Sequence, residues 1–277
     1  MSATTNTNTN TTANKATDTT ADKATDPAAS KTPSKTPSKT LSTRTHPDPA
    51  RPDAGLAFIS TWSTGSPERQ RATLDAIARA WESRPWPHEG LLSYTVYAGS
   101  DGSTVLHHSH WRDEEAHREF SAGARNGRDA RNADIDAAVP GIERLGLSRT
   151  RLYRSWHAAS GGERREPGAI VIVKVPFEGP DADRQRAWVD GVLEALDSDP
   201  VEGKGLISAH FHVGTDGREV VNYAEWESEQ AHIDALAAAG DGVGSPTPQW
   251  RRVRAFPGVA PGGTVARYRF AYGFVPS

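Results

Sequence analysis

From about residue 55 onward the chain switches between two patterns: short runs with apolar side chains at every second position, and longer runs with apolar side chains three and four apart. "LAFISTW" (Leu56 to Trp62) reads as a strand. "SPERQRATLDAIARAW" reads as a helix, with Ser66 as N-cap, Pro67 in the first turn, and Leu74, Ile77, Ala78 and Trp81 as its apolar stripe. A strand over Leu91 to Tyr97, a turn through Gly99, Asp101 and Gly102, and a strand over Thr104 to Trp111 make an antiparallel hairpin. The turn glycines supply positive φ. Asp113 then caps a second helix.

The whole order returns 115 residues later. Glu68 to His117 aligns without a gap on Asp183 to His232, and 19 of the 50 positions are identical, which marks a duplication. The second copy reads as the strand "AIVIVKV", a helix over Arg184 to Leu196 with Trp188, Val189, Val192 and Leu196 inward, a hairpin from Leu206 to Trp226, and a helix from Ser228. Closing strands are expected at Ser148 to Trp156 and Trp250 to Phe256. The stretch "VARYRFAYGFV" (Val265 to Val275) reads as an added edge strand or a segment across a pocket mouth.

A β-α-β-β-α-β unit of about 100 residues is the ferredoxin-like arrangement, an antiparallel sheet with both helices on one face. The bare face must be covered, and two such sheets can cover each other. The predicted fold class is therefore α+β: two tandem ferredoxin-like domains packed sheet to sheet as a pseudo-dimeric α+β barrel. Residues 55–160 form the first domain, and residues 168–277 form the second with a C-terminal extension.

Composition limits the rest. Residues 1–54 are rich in Thr, Lys, Asp and Pro, including "SKTPSKTPSKT", and are expected to form a disordered tail. No stretch has the apolar length of a secretory signal or a membrane span, so a soluble, cytoplasmic protein is expected. The chain has no cysteine, which removes disulfides and thiolate chemistry and leaves any metal to His and carboxylates. A net charge of -3, with acids interleaved among the arginines of "RNGRDARNADID", gives no reason to expect nucleic acid. No Walker or Ser-His-Asp pattern is present.

Each hairpin ends at a Trp, followed by "WRDEEAH" in one copy and "WESEQAH" in the other. Strand Trp, capping Asp or Ser, then Glu-x-Ala resembles the antibiotic biosynthesis monooxygenase family of dimeric α/β barrels, over roughly residues 55 to 256. The resemblance implies a cofactor-independent oxygenase acting on an electron-rich phenolic or anthrone-type aromatic polyketide in secondary metabolism. It leaves open a polyketide cyclase or isomerase of the same fold, and a non-catalytic ligand-binding protein. The implied partners are a small aromatic substrate and O2, with no nucleic acid and no membrane, for a monomeric pseudo-dimer or a homodimer. No cofactor is expected, and reduced flavin supplied by another protein stays open. Heme-degrading relatives carry a His ten residues past the Trp; Ser121 and Leu236 occupy those positions here.

The quinone-forming branch of the family has an Asn four residues before the Trp, a spacing matched by Asn222 and Trp226. His107 replaces the Asn ahead of Trp111. Where that branch has a phenolic residue, this chain has His117 and His232. A histidine titrating near pH 6.5 could take a phenolic proton, so the candidate catalytic residues are Trp111, His107, His117, Asn222, Trp226 and His232. Tyr97, Arg131, His210 and His212 are candidate substrate contacts. Arg131 matches a family arginine and is replaced by Pro246 in the second copy.

Strand alternation puts His107, Ser109 and Trp111 on one face and Leu106, His108 and His110 on the other. His108 with His110, and His210 with His212, have a two-residue spacing suited to metal ligation. The pairs align with Tyr223 and Glu225, and with Thr95 and Tyr97, so neither meets a matching third ligand and no metal is expected.

Overall fold

The computed structural model describes residues 38–123, 125–158, 165–199, 204–239 and 244–277. The first repeat runs β2 (Leu56–Ser63), α1 (Pro67–Glu82), β3 (Leu91–Gly99), β4 (Thr104–Trp111), α2 (Glu114–Gly123), α3 (Arg125–Ala138) and β5 (Glu143–His157). The second runs β6 (Ala169–Pro176), α4 (Ala182–Asp197), β7 (Leu206–Gly214), β8 (Glu219–Trp226), α5 (Glu229–Ala239), α6 (Pro248–Arg254) and β9 (Thr264–Pro276). A short β1 (Thr40–Thr43) precedes both.

Capping is local and repeated. The Ser66 side chain accepts from Arg69 N, Asp181 from Arg184 N, Asp113 from Ala116 N and Ser228 from Ala231 N. These bonds satisfy backbone donors that a helix cannot satisfy internally. Gly102 and Gly217 hold φ of 71° and 75° in the two hairpin turns, where a side chain would be strained.

The strands pair in the order β9-β3-β4-β2-β5-β7-β8-β6, and β6 returns to β9, so eight antiparallel strands close into a barrel. Two long strands tie the repeats together. β5 pairs with β2 through its first half and with β7 through its second. β9 pairs with β6 and then with β3. Each repeat therefore supplies a strand that completes the other, and closure leaves no open edge on the eight strands.

The sheet has two apolar faces. Outside, α1 and α3 cover Val96 and Val105 with Ile77, Ile135 and Val139. In the second half Trp188, Val189, Val192 and Trp250 cover Ala209, Phe211 and Val220. Inside, Ile59, Tyr97, Leu106, Ile170, Ile172, Val221, Tyr223 and Tyr268 meet across the barrel.

Four expectations are corrected. Residues 250–254, expected as a strand, belong to α6, because Thr247 caps it and Pro248 opens its first turn. The second closing strand is β9, which completes the barrel rather than adding an edge. The first helix buries Thr73, Ala76, Ile77 and Ala80, so its inward face is rotated from the predicted stripe and leaves Leu74 and Trp81 only partly buried. The expected tail is also structured from residue 38. β1 pairs with β9 from Thr40↔Pro276 to Thr43↔Gly273, His46 stacks on Phe270 at 4.3 Å, and Arg51 donates to Leu92 O at 3.2 Å. Main-chain pairing needs no apolar side chains, which is why composition did not reveal it. Residues 1–37 lie outside the described residues.

Candidate active site

Two pockets lie between the sheet and its helices, one in each half. The first, a cavity of about 240 Å³, is walled by Phe58, Trp62, Trp81, Trp111 and Phe120, with Tyr94, His107, His117 and Arg131 as its polar groups. β4 sends His107, Ser109 and Trp111 to it by alternation, and α3 sends Arg131 over the top.

Its polar groups are held tightly. The Tyr94 hydroxyl lies 2.5 Å from His107 Nδ1. Burial pushes the Tyr94 phenol up, so it keeps its proton. Among the described residues no other acceptor meets that proton, so the phenol O–H is assigned as the donor to His107 Nδ1. Burial and then the Arg144 charge bring His107 down to about 3, so it is neutral at pH 7. A neutral ring that accepts at Nδ1 carries its proton on Nε2. That Nε2 is buried without a hydrogen-bond partner among the described residues. Trp62 lies 4.1 Å from the same ring.

Arg131 is 5 % exposed; its guanidinium donates to Pro85 O at 2.6 Å and sits 4.8 Å over the Trp81 ring, which itself stacks on Tyr94 at 4.1 Å. His117 is half-buried in the first turns of α2, 4.4 Å from Phe58 and 5.0 Å from Trp111. Burial, with the charges of Arg149 and Arg128, lowers its pKa, which keeps it neutral and able to accept a proton at pH 7. The Trp111 indole donates to Ser109 Oγ at 3.3 Å.

The second pocket, about 340 Å³, is walled by Trp188, Val192, Phe211, Trp226 and Trp250. Asn222 and His232 also line it. Asn222 Oδ1 and Trp226 Nε1 are buried without partners among the described residues. His232 Nδ1 accepts from Arg267 Nε at 2.9 Å, and burial with that charge takes it down to about 4. The two pockets differ at equivalent positions, where Tyr94, His107 and Arg131 face Ala209, Asn222 and Pro246.

The predicted residues therefore divide. Trp111, His107, His117 and Arg131 come together in the first pocket; Asn222, Trp226 and His232 come together in the second. Tyr97, His210 and His212, expected as substrate contacts, point into the barrel interior and line neither pocket. β3 and β7 each carry a β-bulge, between Leu91 and Ser93 and between Leu206 and Ser208. One extra residue inverts the faces. Tyr94, which the sequence reading passed over, takes the pocket position instead. Its spacing of two from Val96 on a buried strand face was the available signal.

Among the described residues, no three His, Asp or Glu side chains are grouped to hold a metal ion, and no helix is long and apolar enough to cross a membrane.

The fold and these sites define a pseudo-symmetric α+β barrel with an aromatic pocket in each half. No protein-family model matches the chain. Tetracenomycin-F1 monooxygenase of Streptomyces glaucescens is 35% identical over 63 residues, which is 23% of this chain and 54% of that protein. The chain thus spans about half the length of the curated relative it matches. The crystal structure of an anthrone oxidase-like protein superposes with a TM-score of 0.55 at 19% identity, covering 84% of this chain and 95% of that one. A Streptomyces coelicolor monooxygenase in complex with nanaomycin D is 29% identical over 37% of this chain and 87% of its own, with a TM-score of 0.28. The likeness to the anthrone oxidase-like structure is one of fold.

Proposed function

We propose that the chain is a cofactor-independent monooxygenase that oxidises an anthrone-type or phenolic polycyclic aromatic, and that the first pocket is its reactive site. The observation that carries this reading is that His107, bonded at Nδ1 to Tyr94, and the buried Arg131 cation line one aromatic-walled pocket.

Oxygen activation without a metal or flavin needs a substrate anion able to give an electron to O2. His117 takes the substrate proton, and the resulting oxyanion is stabilised by His107 Nε2–H and by the Arg131 charge. The anion passes one electron to O2; the caged radical and superoxide combine to form a peroxide at the ring carbon. Loss of water, using the proton held by His117, leaves a carbonyl. For an anthrone the balance is CH2 plus O2 giving C=O plus H2O, so the substrate supplies all four electrons and no outside reductant enters. Trp62, Trp81, Trp111 and Phe120 hold the flat substrate and keep bulk water from the peroxide.

The second pocket has no such set. His232 is tied to Arg267, and Asn222 offers only an amide. It binds a neutral aromatic without turning it over. The test of the reading is turnover of a hydroxyanthrone under 18O2: one labelled oxygen in the new carbonyl supports it, and product carrying oxygen from water sinks it.

A further inference from the structure

A second set of titratable side chains lies inside the closed barrel, away from both pockets. His108 and His110 come from β4, His210 and His212 from β7, and all four are 1 % exposed. In the strand order β4 and β7 are three places apart, so their side chains meet across the interior. The His108 ring lies 4.4 Å from His110, 6.2 Å from His212 and 5.3 Å from Tyr223.

Hydrogen bonding within the cluster is incomplete. His110 Nδ1 meets Ser93 Oγ at 3.0 Å, and His210 meets Ser155 Oγ at 2.8 Å and Ser208 Oγ at 2.9 Å. His212 Nδ1–H donates to the His210 carbonyl at 3.1 Å. Both ring nitrogens of His108, and Nε2 of His110, have no hydrogen-bond partner among the described residues.

Few groups nearby could balance added charge. β8 contributes Tyr223 and Glu225, whose carboxylate accepts from Ser208 at 2.7 Å and lies 3.9 Å from His210 Nε2. β3 contributes Tyr97, hydroxyl to hydroxyl with Tyr223 at 2.9 Å; β5 contributes His157, 5.5 Å from His210; β9 contributes Tyr268. β2 and β6 contribute Ile59, Ile170 and Ile172, with Lys174 further along the same face of β6. Arg51 and Asp53 act on His110 from the segment before β2. The Glu225 carboxylate lies at His210, and no ion pair to His108 or His212 is found among the described residues.

We propose that this cluster is an acid-sensitive latch between the two halves: the barrel stays closed while His108, His110 and His212 are neutral and opens reversibly when these three take up protons together. Protonation would place like charges close together across the barrel interior, between β4 and β7, with apolar side chains beside them. The pKa directions agree. Burial is the leading cause for three of the rings, holding His108 well below its ordinary value, His110 at about 3 and His212 at about 4. A histidine that is harder to charge when closed than when open, near pH 6.5, gives stability that is full above that pH and is lost as pH falls toward 4. Each such ring raises the opening constant about tenfold per pH unit in that window. The inference does not depend on the reaction assigned to the first pocket.

The test is urea unfolding of the full chain, followed by tryptophan fluorescence at steps from pH 7.5 to 5.0, with return to pH 7.5 as the check on reversibility. The expected slope of log opening constant against pH is about three or more. His108→Leu with His212→Leu should lower that slope by about two; His108→Gln, which keeps a polar side chain but cannot titrate, should lower it by about one. A wild-type slope near zero overturns the latch, and so does a slope left unchanged by His108→Gln.

Discussion

Replacing Tyr94 with Phe removes one oxygen atom and tests the assignment of His107 directly. The lost hydroxyl is the 2.5 Å partner of His107 Nδ1. Phe keeps the stack on Trp81, so the change falls on the hydrogen bond rather than on packing. A buried ring nitrogen left without its partner costs about 1–3 kcal/mol of stability. The catalytic effect is separate: with Nδ1 free, the single proton of neutral His107 is shared between its two nitrogens, and Nε2 is no longer a fixed donor. Removing a donor from a developing oxyanion costs about 10²–10³ in turnover. Tyr94→Phe, which blurs the donor without deleting it, should cost about tenfold in kcat, and His107→Leu should reach the full range. KM should change less than kcat in both, because the bond strengthens only as charge develops. His107→Asn, which keeps an N–H donor and reproduces the residue of the second copy, should recover part of the loss. The assay is steady-state oxygen uptake beside urea midpoints. If Tyr94→Phe loses stability but retains full kcat, His107 is a packing residue and the reasoning fails.

Further outcomes follow from the same geometry. Arg131→Met should lower kcat/KM by about a hundredfold or more, since it removes a buried cation from the anion's site; a change under threefold would show that the cation faces elsewhere. The rate should be flat around neutral pH and fall on the acid side, below the ordinary histidine value, because His117 is shifted down and must be neutral to accept a proton. In His117→Gln that acid limb should disappear with most of the activity; a limb that persists assigns the base to another group. Titration of wild type with a neutral hydroxyanthraquinone should show two sites, and Trp226→Ala should leave one. Gln70 donates to Gly99 O at 2.9 Å and Thr104 O at 2.7 Å, bracing the first hairpin as Gln185 does the second through Glu219 O. Gln70→Leu should cost about 1–3 kcal/mol in a urea titration.

Much of the fold was legible because its signals are local and occur twice. Ser66 and Asp113 announced helix starts, the Asp-Gly turns announced hairpins, and the duplication supplied a second reading of every element. What stayed hidden depends on one-residue shifts or on distant partners. The bulges after Leu91 and Leu206 shift the faces of β3 and β7, which puts Tyr94 at the first pocket and Tyr97, His210 and His212 inside. Strict alternation along β4, whose pairing with β2 has no register shift, matches the placement of His107 and Trp111 on one side and His108 and His110 on the other. β1 has no apolar pattern and is held by main-chain bonds to a strand more than 200 residues away, a pairing that cannot be read from local sequence. The four interior histidines were visible as two unrelated pairs; only closure of the barrel brings them together.

The most direct measurement is oxygen consumption by the full chain, freed of metal and flavin, supplied with a hydroxyanthrone and compared with Arg131→Met and Trp226→Ala variants. The account predicts uptake of one O2 per substrate, nearly abolished by Arg131→Met and largely kept by Trp226→Ala. No uptake by the wild type, or uptake lost in Trp226→Ala and kept in Arg131→Met, would contradict it.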